Sequence, residues 1–313
     1  MKKKILALLT SVALVATMLV GCGAKEEAAP APEPVVEEAV EEATEDETVE
    51  DTTEEVAEEA ATELGADTQA IVDRGVLKVG VKNAVVGFGF QDTLTGEYSG
   101  LEISIAEKIA EKLGVDIEFT AVTAATRTEL LDSGDIDCVL ATFTITDERK
   151  ESWDFSTPYF TDHVTVLVET ATGITDLAGL KDKSVGVSSG STSAKSLTQA
   201  MIDAGVIEGT DFDPDTFDAA TWTDGVTFKQ YDDYPAISTA LSAGEVDAFC
   251  VDKSILAIYN TDDRNYIDDE FAPQDYGVAT KKGSDFSEYV ETCVTEWLSD
   301  GTIAELITEN GLD

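Results

Sequence analysis

The sequence predicts an α/β protein whose folded part consists of two similar lobes. The first observation is a repeated unit: residues 126–141 read TRTELLDSGDIDCVLA, and residues 235–251 read PAISTALSAGEVDAFCV. Each copy is a helical pattern ended by a glycine, Gly134 or Gly244, and followed by a short apolar strand that opens with an acidic residue. Two copies separated by about 110 residues favour two lobes over one long sheet.

The second observation is the alternation of strand and helix patterns around these units. An apolar run at Val76–Val81 is followed by a helical pattern at Leu101–Leu113 and by another apolar run at Val115–Phe119. This order is typical of largely parallel sheets, in which ligands bind beyond the carboxyl ends of the strands. We therefore expect residues 142–144 and 252–254, which follow the repeated strands, to face each other across a cleft.

The N-terminus has the pattern of an export signal over residues 1–21. Three lysines precede an uncharged, mostly apolar stretch, Ile5–Val20, which is shorter than the ~20 apolar residues of a comfortable membrane span. Residues 19–22, LVGC, resemble the bacterial lipobox, so we expect acylation of Cys22 at the mature N-terminus. Several acyl chains on one residue anchor a protein firmly. An ordinary signal peptide that contains a cysteine is the alternative.

Residues 22–69 are predicted to form a lipid-anchored, acidic and disordered tether. Residues 24–68 hold 18 acidic side chains and 1 basic side chain, and no aromatic residue. Such a segment cannot bury enough apolar surface to offset the entropy of the chain.

The remaining residues, about 70–313, carry 46 acidic and 16 basic side chains, a net charge of −30. This balance argues against nucleic acid as a partner, because its binding depends on Lys and Arg. The three cysteines, Cys138, Cys250 and Cys293, and the one histidine, His163, form no metal-ligand or catalytic motif. We expect buried free thiols, no metal, no cofactor and no enzymatic chemistry. The sequence does not decide whether Cys250 and Cys293 form a disulfide.

Six motifs in this region carry a resemblance to a known family. In chain order they are LKVGV, GLEISIAEKIAEKLG, ATFTITDERKESWDFSTPYF, LAGLKDKSVGVSSGST, GEVDAFCVD and DYGVATKKGS. They resemble the family-3 extracellular solute-binding proteins of ABC importers, which bind polar amino acids. TFTITDERK followed by DFSTPY is the most specific part. GVKNAV, TAATRTELLDSGDIDCVLATFTIT, DYPAISTALSAGEVDAFCVDKSIL and PQDYGVATKK are most similar to the aspartate/glutamate-binding branch.

The resemblance implies a two-lobed, periplasmic-binding-protein-like (type II) fold with a ligand cleft between the lobes. The first lobe would comprise residues 70–166 plus 275–313, and the second residues 167–274, with an acidic surface stretch at 206–226. The protein would be a monomer, lipid-anchored at the extracellular face of the bacterial cell membrane, that delivers an amino acid to ABC permease subunits. The alternatives are an enzyme similar to cyclohexadienyl dehydratases on the same scaffold and a surface adhesin.

An amino acid presents a carboxylate, and the sequence offers a partner for it. Arg149 stands in the first turn of a predicted helix capped by Thr146, where an arginine can bind a carboxylate with two hydrogen bonds. The small-residue loop SSGST, from Ser188 to Thr192, leads into a helix and is typical of an anion nest. The resemblance assigns the α-carboxylate to Arg149, with help from Thr144 and from the loop. A surface salt bridge is the alternative for Arg149.

The resemblance assigns the α-ammonium group of the ligand to Asp252, with Thr144 and the carbonyl group of Thr142 assisting. A carboxylate is the natural partner of a buried ammonium ion. A helix cap is the alternative role for Asp252.

Two further basic residues predict the specificity for the ligand's side chain. Lys82 follows the first strand, Arg127 opens the helix of the first repeat, and the resemblance places both at the side-chain end of the pocket. Since unpaired buried charge is costly, a pocket lined by them should select aspartate or glutamate and repel basic ligands. Glutamine stays open, because its amide oxygen can accept from Arg127. A solvated lysine is the alternative for Lys82.

Uncharged residues complete the predicted pocket. Thr142 and Tyr234 are candidate hydroxyl donors to the distal carboxylate, and Phe88 or Val85 is a candidate apolar wall. The GFGF aromatics fit a plain core equally well. Tyr276 is expected either to pack at the hinge or to contact the ligand.

Overall fold

The computed structural model describes residues 64–313. The predicted signal peptide, Cys22 and all but the last residues of the predicted tether lie outside this range. The helices of the described part are α1 (Ala66–Arg74), α2 (Leu101–Leu113), α3 (Arg127–Ser133), α4 (Asp147–Ser152), α5 (Ser193–Asp203), α6 (Tyr234–Ser242), α7 (Lys253–Leu256), α8 (Asp285–Ser299) and α9 (Thr302–Glu309). Short 3-10 turns lie at Thr170–Thr172, Leu177–Leu180 and Ala257–Tyr259.

The strands of the same part are β1 (Val76–Val81), β2 (Ala84–Val85), β3 (Gly89–Gln91), β4 (Tyr98–Ser99), β5 (Asp116–Ala121), β6 (Cys138–Leu140), β7 (Trp153–Phe155), β8 (Phe160–Glu169), β9 (Lys183–Ser188), β10 (Val226–Tyr231), β11 (Ala248–Asp252), β12 (Arg264–Tyr266), β13 (Phe271–Tyr276) and β14 (Ala279–Lys281). They form two large sheets and a small three-stranded sheet, β2-β3-β4.

The sheet of the first lobe has the strand order β5-β1-β6-β14-β7. β1 pairs in parallel with β5 and β6, whereas β14 returns antiparallel to β6 and β7. Leu77, Val79 and Val81 of β1 are fully shielded from solvent, and α2 packs against β1 and β5 with its apolar face. β1 is therefore a central strand whose alternate residues Leu77, Val79 and Val81 form one buried face.

The sheet of the second lobe has the order β10-β9-β11-β8-β12, with β13 paired to β8. β9 is parallel to β10 and β11, and the long strand β8 is antiparallel to β11, β12 and β13. The fold is the two-lobed α/β type II arrangement that the sequence predicts.

The repeated unit occupies the same place in both lobes. α3 leads into β6, which lies beside β1, and α6 leads into β11, which lies beside β9. Gly134 and Gly244 adopt φ angles of 78° and 68°, a left-handed conformation that glycine reaches without strain and that ends each helix. The glycine after each helical pattern is therefore explained by helix termination.

The chain crosses between the lobes earlier than the predicted boundary at residues 166/167. β8 belongs to the second sheet along its whole length, since Val164–Val168 pairs with β11 and Phe160–Val164 pairs with β13. The two crossing segments are therefore residues 156–159 and 277–278. The physical reason is that β8 obtains all its hydrogen bonds in the second sheet, so the boundary cannot fall inside it.

The start of α1 reaches back into the predicted tether. Asp285 accepts hydrogen bonds from the backbone N–H groups of Asp67 (2.9 Å) and Thr68 (3.0 Å). Thr68 and Ile71 are buried. These contacts make residues 66–69 part of the folded first lobe.

Residues 206–226 of the second lobe contain no helix or strand apart from the first residue of β10, and they enclose their own aromatic cluster. Phe212, Phe217 and Trp222 lie with ring centroids 5.5–5.8 Å apart, and Phe217 also contacts Phe228 of the sheet. The aromatic side chains attach this acidic stretch to the lobe.

Two further observations bear on the sequence predictions. Cys138, Cys250 and Cys293 are buried and not in disulfide bonds, as predicted, so Cys250 and Cys293 do not pair. Within residues 64–313, we find no helix with the length and apolar character needed to cross a bilayer.

Ser156 joins the two crossing segments and provides a test of their role in stability. Its backbone N–H donates to the carbonyl oxygen of Val278, and its hydroxyl oxygen accepts from the N–H group of Val278, both at 3.0 Å. Ser156→Ala leaves that buried N–H group without a partner, so we expect a loss of about 1–3 kcal/mol in the free energy of unfolding. Denaturant unfolding measures this change. The exposed Ser99→Ala is the matched control, and equal stability of the two variants would contradict the assignment.

Candidate ligand-binding site

The carboxyl ends of the repeated strands meet at the cleft between the lobes. Thr142 and Thr144 follow β6, Asp252 ends β11, and all three side chains are buried. Across the cleft, a guanidinium N–H of Arg149 donates to the carbonyl oxygen of Gly190 at 3.1 Å. The cleft is therefore closed around these strand ends.

Arg149 is oriented by its own helix terminus and by carbonyl groups. The hydroxyl oxygen of Thr146 accepts from the backbone N–H of Arg149 at 3.1 Å, which caps α4 as predicted. The guanidinium donates to the carbonyl oxygen of Thr144 at 2.7 Å and lies 4.7 Å from the centre of the Phe143 ring. No Asp or Glu of the described chain forms a salt bridge with it. Burial, and then the charge of Arg127, lower the pKa of Arg149 to about 9.

Arg127, at the start of α3, is 3% exposed and lies over the same Phe143 ring at 3.8 Å. It donates to the carbonyl oxygens of Ala141 (2.8 Å) and Thr142 (3.2 Å), which fixes the guanidinium at the end of β6. Burial lowers its pKa to about 10, still far above neutrality. Its Nε atom has no partner among the described residues, so part of this buried cation remains available to a ligand.

Lys82 follows β1 and is 5% exposed, which rules out the alternative of a solvated lysine. Its ammonium group lies 5.4 Å from the centre of the Tyr234 ring, a cation–π contact that spans the two lobes. Burial, and then the charge of Arg127, lower the pKa of Lys82 to about 7, while Glu102 and Asp252 act in the opposite direction.

Asp252 is 5% exposed, and its carboxylate accepts a hydrogen bond from the hydroxyl of Tyr276. It does not cap α7 through its side chain within the described structure; Asp162 instead accepts from the backbone N–H of Ser254 at 3.1 Å. The helix-cap alternative is therefore excluded. Burial raises the pKa of Asp252 to about 7, with a further contribution from the negative charge of Asp162.

The small-residue loop lies at the start of α5, as predicted. Ser188 ends β9 and is buried, and Thr192 occupies the N-cap position of the helix. The hydroxyl groups of Thr192 and Thr144 both donate to the side-chain oxygen of Gln274, at 2.7 Å and 2.8 Å. The loop of the second lobe and the strand end of the first are thereby linked.

The aromatic residues divide between the cleft and the crossing segments. Tyr234 is buried at the start of α6, with its ring against Lys82. Phe88 is fully buried and makes edge contacts with Phe160 (5.1 Å) and Tyr276 (5.6 Å). Phe88 therefore packs in the core against β8 and β13, and Tyr276 combines this packing with its hydrogen bond to Asp252.

Glu102 is a residue of this site that the sequence predictions miss. It is fully buried near the N-terminus of α2, where one carboxylate oxygen accepts from the backbone N–H of Thr142 (2.5 Å) and from the hydroxyl of Tyr159 (2.6 Å). Burial raises its pKa, and the positive charges of Lys82 and Arg127 oppose that shift. Its signal in the sequence is an acidic residue inside the apolar run GLEISI, a position that packing alone does not explain.

A cavity of about 950 Å³ opens at the Arg127 and Arg149 side of the cleft, within the usual range for small-molecule sites. Its lining includes Arg127, Thr144, Arg149, Thr192 and Gln274, and also Phe212 and Phe217 of the 206–226 stretch. Lys82, Thr142 and Asp252 are not among the residues that line it. In residues 64–313 we find no group of three or more His, Cys, Asp or Glu side chains placed to hold a metal ion.

Comparisons with known proteins agree with this architecture. Residues 77–311 match the family described as bacterial extracellular solute-binding proteins, family 3. The chain is 32% identical over 244 residues to the ABC transporter glutamine-binding protein GlnH of Bacillus subtilis (strain 168), covering 76% of this chain and 81% of the relative. It is 27% identical over 259 residues to the glutamate-binding protein GluB of Corynebacterium glutamicum, covering 77% and 80%.

A solved structure of an ancestral arginine-binding protein bound to arginine is also similar. It superimposes with a TM-score of 0.64 at 32% identity, covering 76% of this chain and 99% of that protein. The relatives share the fold and differ in the amino acid that their names give. The match over residues 77–311 and the two-lobed fold place the chain in a family: it belongs to the bacterial extracellular solute-binding proteins, family 3.

Proposed function

We propose that this protein captures an amino acid with an acidic side chain, aspartate or glutamate, for uptake by an ABC importer. The observation that carries the proposal is a charged cluster at the cleft, formed by Lys82, Glu102, Arg127, Arg149 and Asp252. It contains one more basic than acidic side chain, and its members shift one another's pKa. A ligand with one net negative charge balances the cluster, and burying unbalanced charge is costly.

The α-amino-acid end of the ligand is proposed to lie between Arg149 and Asp252. The guanidinium of Arg149 lies at the start of α4 without a carboxylate partner in the described chain, and a bidentate arginine suits an α-carboxylate. Backbone N–H groups of Thr144 and Thr192, beside Ser188, complete the anion site at the start of α5. Asp252 pairs with the α-ammonium group.

The side chain of the ligand is proposed to lie toward Lys82 and Arg127, with the hydroxyl groups of Thr142 and Tyr234 as further donors. The buried hydroxyl of Thr142 has no hydrogen-bond partner within residues 64–313, and buried polar groups are normally paired. A basic side chain would add charge of the same sign to this end of the pocket and would be repelled.

Glutamine is the second candidate ligand. The similarity to GlnH supports it, and an amide oxygen can accept from Arg127. A neutral ligand, however, leaves the surplus positive charge of the cluster unbalanced. The charge therefore favours the acidic amino acids.

Capture is proposed to close the two lobes, and the closed protein would then dock on the permease. Besides the contact of Arg149 with Gly190, Lys195 and Glu148 form an ion pair across the cleft mouth at 3.3 Å. We propose further that Cys22 anchors the protein by lipid at the extracellular face of the membrane and that it acts as a monomer. The two curated relatives described above are named as binding proteins, which supports binding without chemistry.

Isothermal titration calorimetry tests the ligand charge. We expect the protein to bind glutamate or aspartate more tightly than glutamine and not to bind arginine. Arg127→Gln should weaken the binding of the acids by about 2–5 kcal/mol, because a buried charge pair loses one partner, and should affect glutamine less. Arg149→Ala should abolish the binding of every amino acid. Tight binding of arginine, or an unchanged acid preference in Arg127→Gln, would contradict the proposal.

The pKa values of Lys82 and Asp252, both about 7, predict a bell-shaped dependence of affinity on pH. Above pH 7 Lys82 loses its proton and its attraction for the acidic side chain; below pH 7 Asp252 gains a proton and no longer pairs with the ammonium group. Burial is the main cause of both shifts; Arg127, Glu102 and Arg149 also face Lys82, and Tyr276, Asp162, Arg127 and Arg149 face Asp252.

We expect affinity to fall by up to about tenfold per pH unit on each side of pH 7, because each group must bind or release one proton. Calorimetry from pH 5.5 to 9 measures the profile. The affinity of Lys82→Met should no longer fall above pH 7, whereas it should still fall below pH 7. A flat profile for the unaltered protein would show that neither group titrates in the free site.

Gly190 tests whether the closed cleft is the binding form. A Cβ atom at this position would lie 2.8 Å from the carbonyl oxygen of Ala124 in the other lobe. Gly190→Ala should therefore hold the lobes apart and weaken binding by about 1–3 kcal/mol, the usual cost of overpacking. Gly205→Ala is the matched control, because its φ of +69° is close to the +76° of Gly190 and no described atom lies within 4 Å of its added Cβ. Equal affinities of the two variants would refute closure at this contact.

A further inference from the structure

Gln274 lies in β13, the strand that leads the chain back toward the first lobe, and its side chain is buried. All four of its hydrogen-bonding positions are used. Its amide nitrogen donates to the carbonyl oxygens of Ala272 (2.8 Å) and Pro273 (3.3 Å), and its oxygen accepts from the hydroxyl groups of Thr144 (2.8 Å) and Thr192 (2.7 Å). One amide therefore joins a residue of each lobe to β13, just before the second crossing segment.

The direction of these bonds is fixed by chemistry. Carbonyl oxygens only accept, so the amide nitrogen must face Ala272 and Pro273, and the amide oxygen must face the two threonines. Each threonine hydroxyl must then donate its single proton to Gln274.

The hydroxyl of Thr192 is not used as a helix cap. Although Thr192 stands at the N-cap of α5, its side chain accepts no N–H group of the helix in the described structure. An N-cap threonine normally satisfies one of the free N–H groups of the first turn. Gln274 directs the hydroxyl of Thr192 toward the crossing side of the cleft. Within the described structure, the N–H of Ser193 is the one first-turn donor with a side-chain acceptor, the hydroxyl of Ser191 at 3.4 Å, so the other first-turn N–H groups can bind an anion.

We propose that Gln274 is a positioning residue that sets Thr144 and Thr192 relative to each other and so builds the anion site from both lobes. Its effect on the ligand rests on the proposed function, whereas its effect on the two backbone segments does not. Neither the hydroxyl of Thr144 nor that of Thr192 has another hydrogen-bond partner in residues 64–313, so the amide of Gln274 is the group that links the two side chains.

Hydrogen–deuterium exchange of the full chain without ligand tests the link. Gln274→Leu removes all four hydrogen bonds and should raise the exchange of backbone amides in residues 144–149 and 190–196 together. Thr192→Val, a milder change at a half-buried position, should raise exchange in the same two segments and keeps the test valid if Gln274→Leu folds poorly. Gln230→Leu, exposed and lining the same cavity, is the matched control and should change neither segment.

Calorimetry with glutamate, aspartate and glutamine tests the consequence for binding. Gln274→Leu should weaken the binding of the preferred amino acid by about tenfold, the size expected for one to two lost hydrogen bonds. Adding Thr192→Val to Gln274→Leu should cost little more, because the two changes remove the same interaction.

Gln274→Glu separates positioning from simple packing, because the two side chains have nearly the same shape. A neutral carboxyl group can donate to a carbonyl and accept from the hydroxyls, whereas a carboxylate would face the carbonyl oxygens of Ala272 and Pro273. Burial beside two carbonyl oxygens should raise the pKa of the introduced carboxyl group above 5. The affinity of Gln274→Glu relative to the unaltered protein should therefore be near one at pH 5 and fall by about tenfold by pH 8.

Three results would overturn the assignment: unchanged exchange in both segments for Gln274→Leu, an affinity within about twofold of the unaltered protein, or a pH-independent ratio for Gln274→Glu. Failure of the unaltered protein to bind any of the three amino acids would instead refute the proposed function. In that case, exchange in the ligand-free variants still decides the role of Gln274.

Discussion

Burial of like charges at the cleft is the constraint on which the site depends. Lys82, Arg127 and Arg149 are held near one another, and the lowered pKa of each reflects burial and, for Lys82 and Arg149, the neighbouring charge of Arg127. Such an arrangement is unfavourable unless carbonyl groups, aromatic rings or an anion compensate it. Phe143 lies under both guanidinium groups and gives them a cation–π surface without adding a negative charge. The remaining imbalance is what an anionic ligand would relieve.

A second layer of residues keeps this cluster in place. Thr142 has a φ of 44°, a left-handed conformation that costs a non-glycine residue of order 1–3 kcal/mol. Glu102 stabilises it by accepting its backbone N–H, and the strained turn directs the carbonyl oxygen of Thr142 to Arg127. Tyr159, at the end of the first crossing segment, donates to the same carboxylate oxygen. The cluster is therefore supported by a connected set of residues: strained Thr142, buried Glu102 and Tyr159 of the crossing segment.

Much of the fold could be predicted from the sequence, because local patterns report it directly. The two repeated helix–strand units, the glycines that end them and the apolar runs of parallel strands predict an α/β protein with two lobes. The predicted boundary at residue 166 was misplaced, because the sequence pattern of an apolar strand such as β8 does not depend on which sheet the strand joins. Its place depends on pairing with β11 and β13, strands that are distant in the chain. The start of α1 was likewise hidden, since it depends on Asp285.

For the candidate site, the sequence by itself determined which charged residues stand at strand ends and helix starts: Lys82, Arg127, Arg149 and Asp252. Each is marked by a motif that is continuous in the chain. Only the tertiary structure decided how these residues are buried and supported. Glu102 and Gln274 belong to the site because strands and helices far apart in sequence bring Thr142, or Thr144 and Thr192, against them. A helix or strand produces a periodic pattern of apolar residues in the sequence. A hydrogen bond between residues far apart in the chain produces no such pattern.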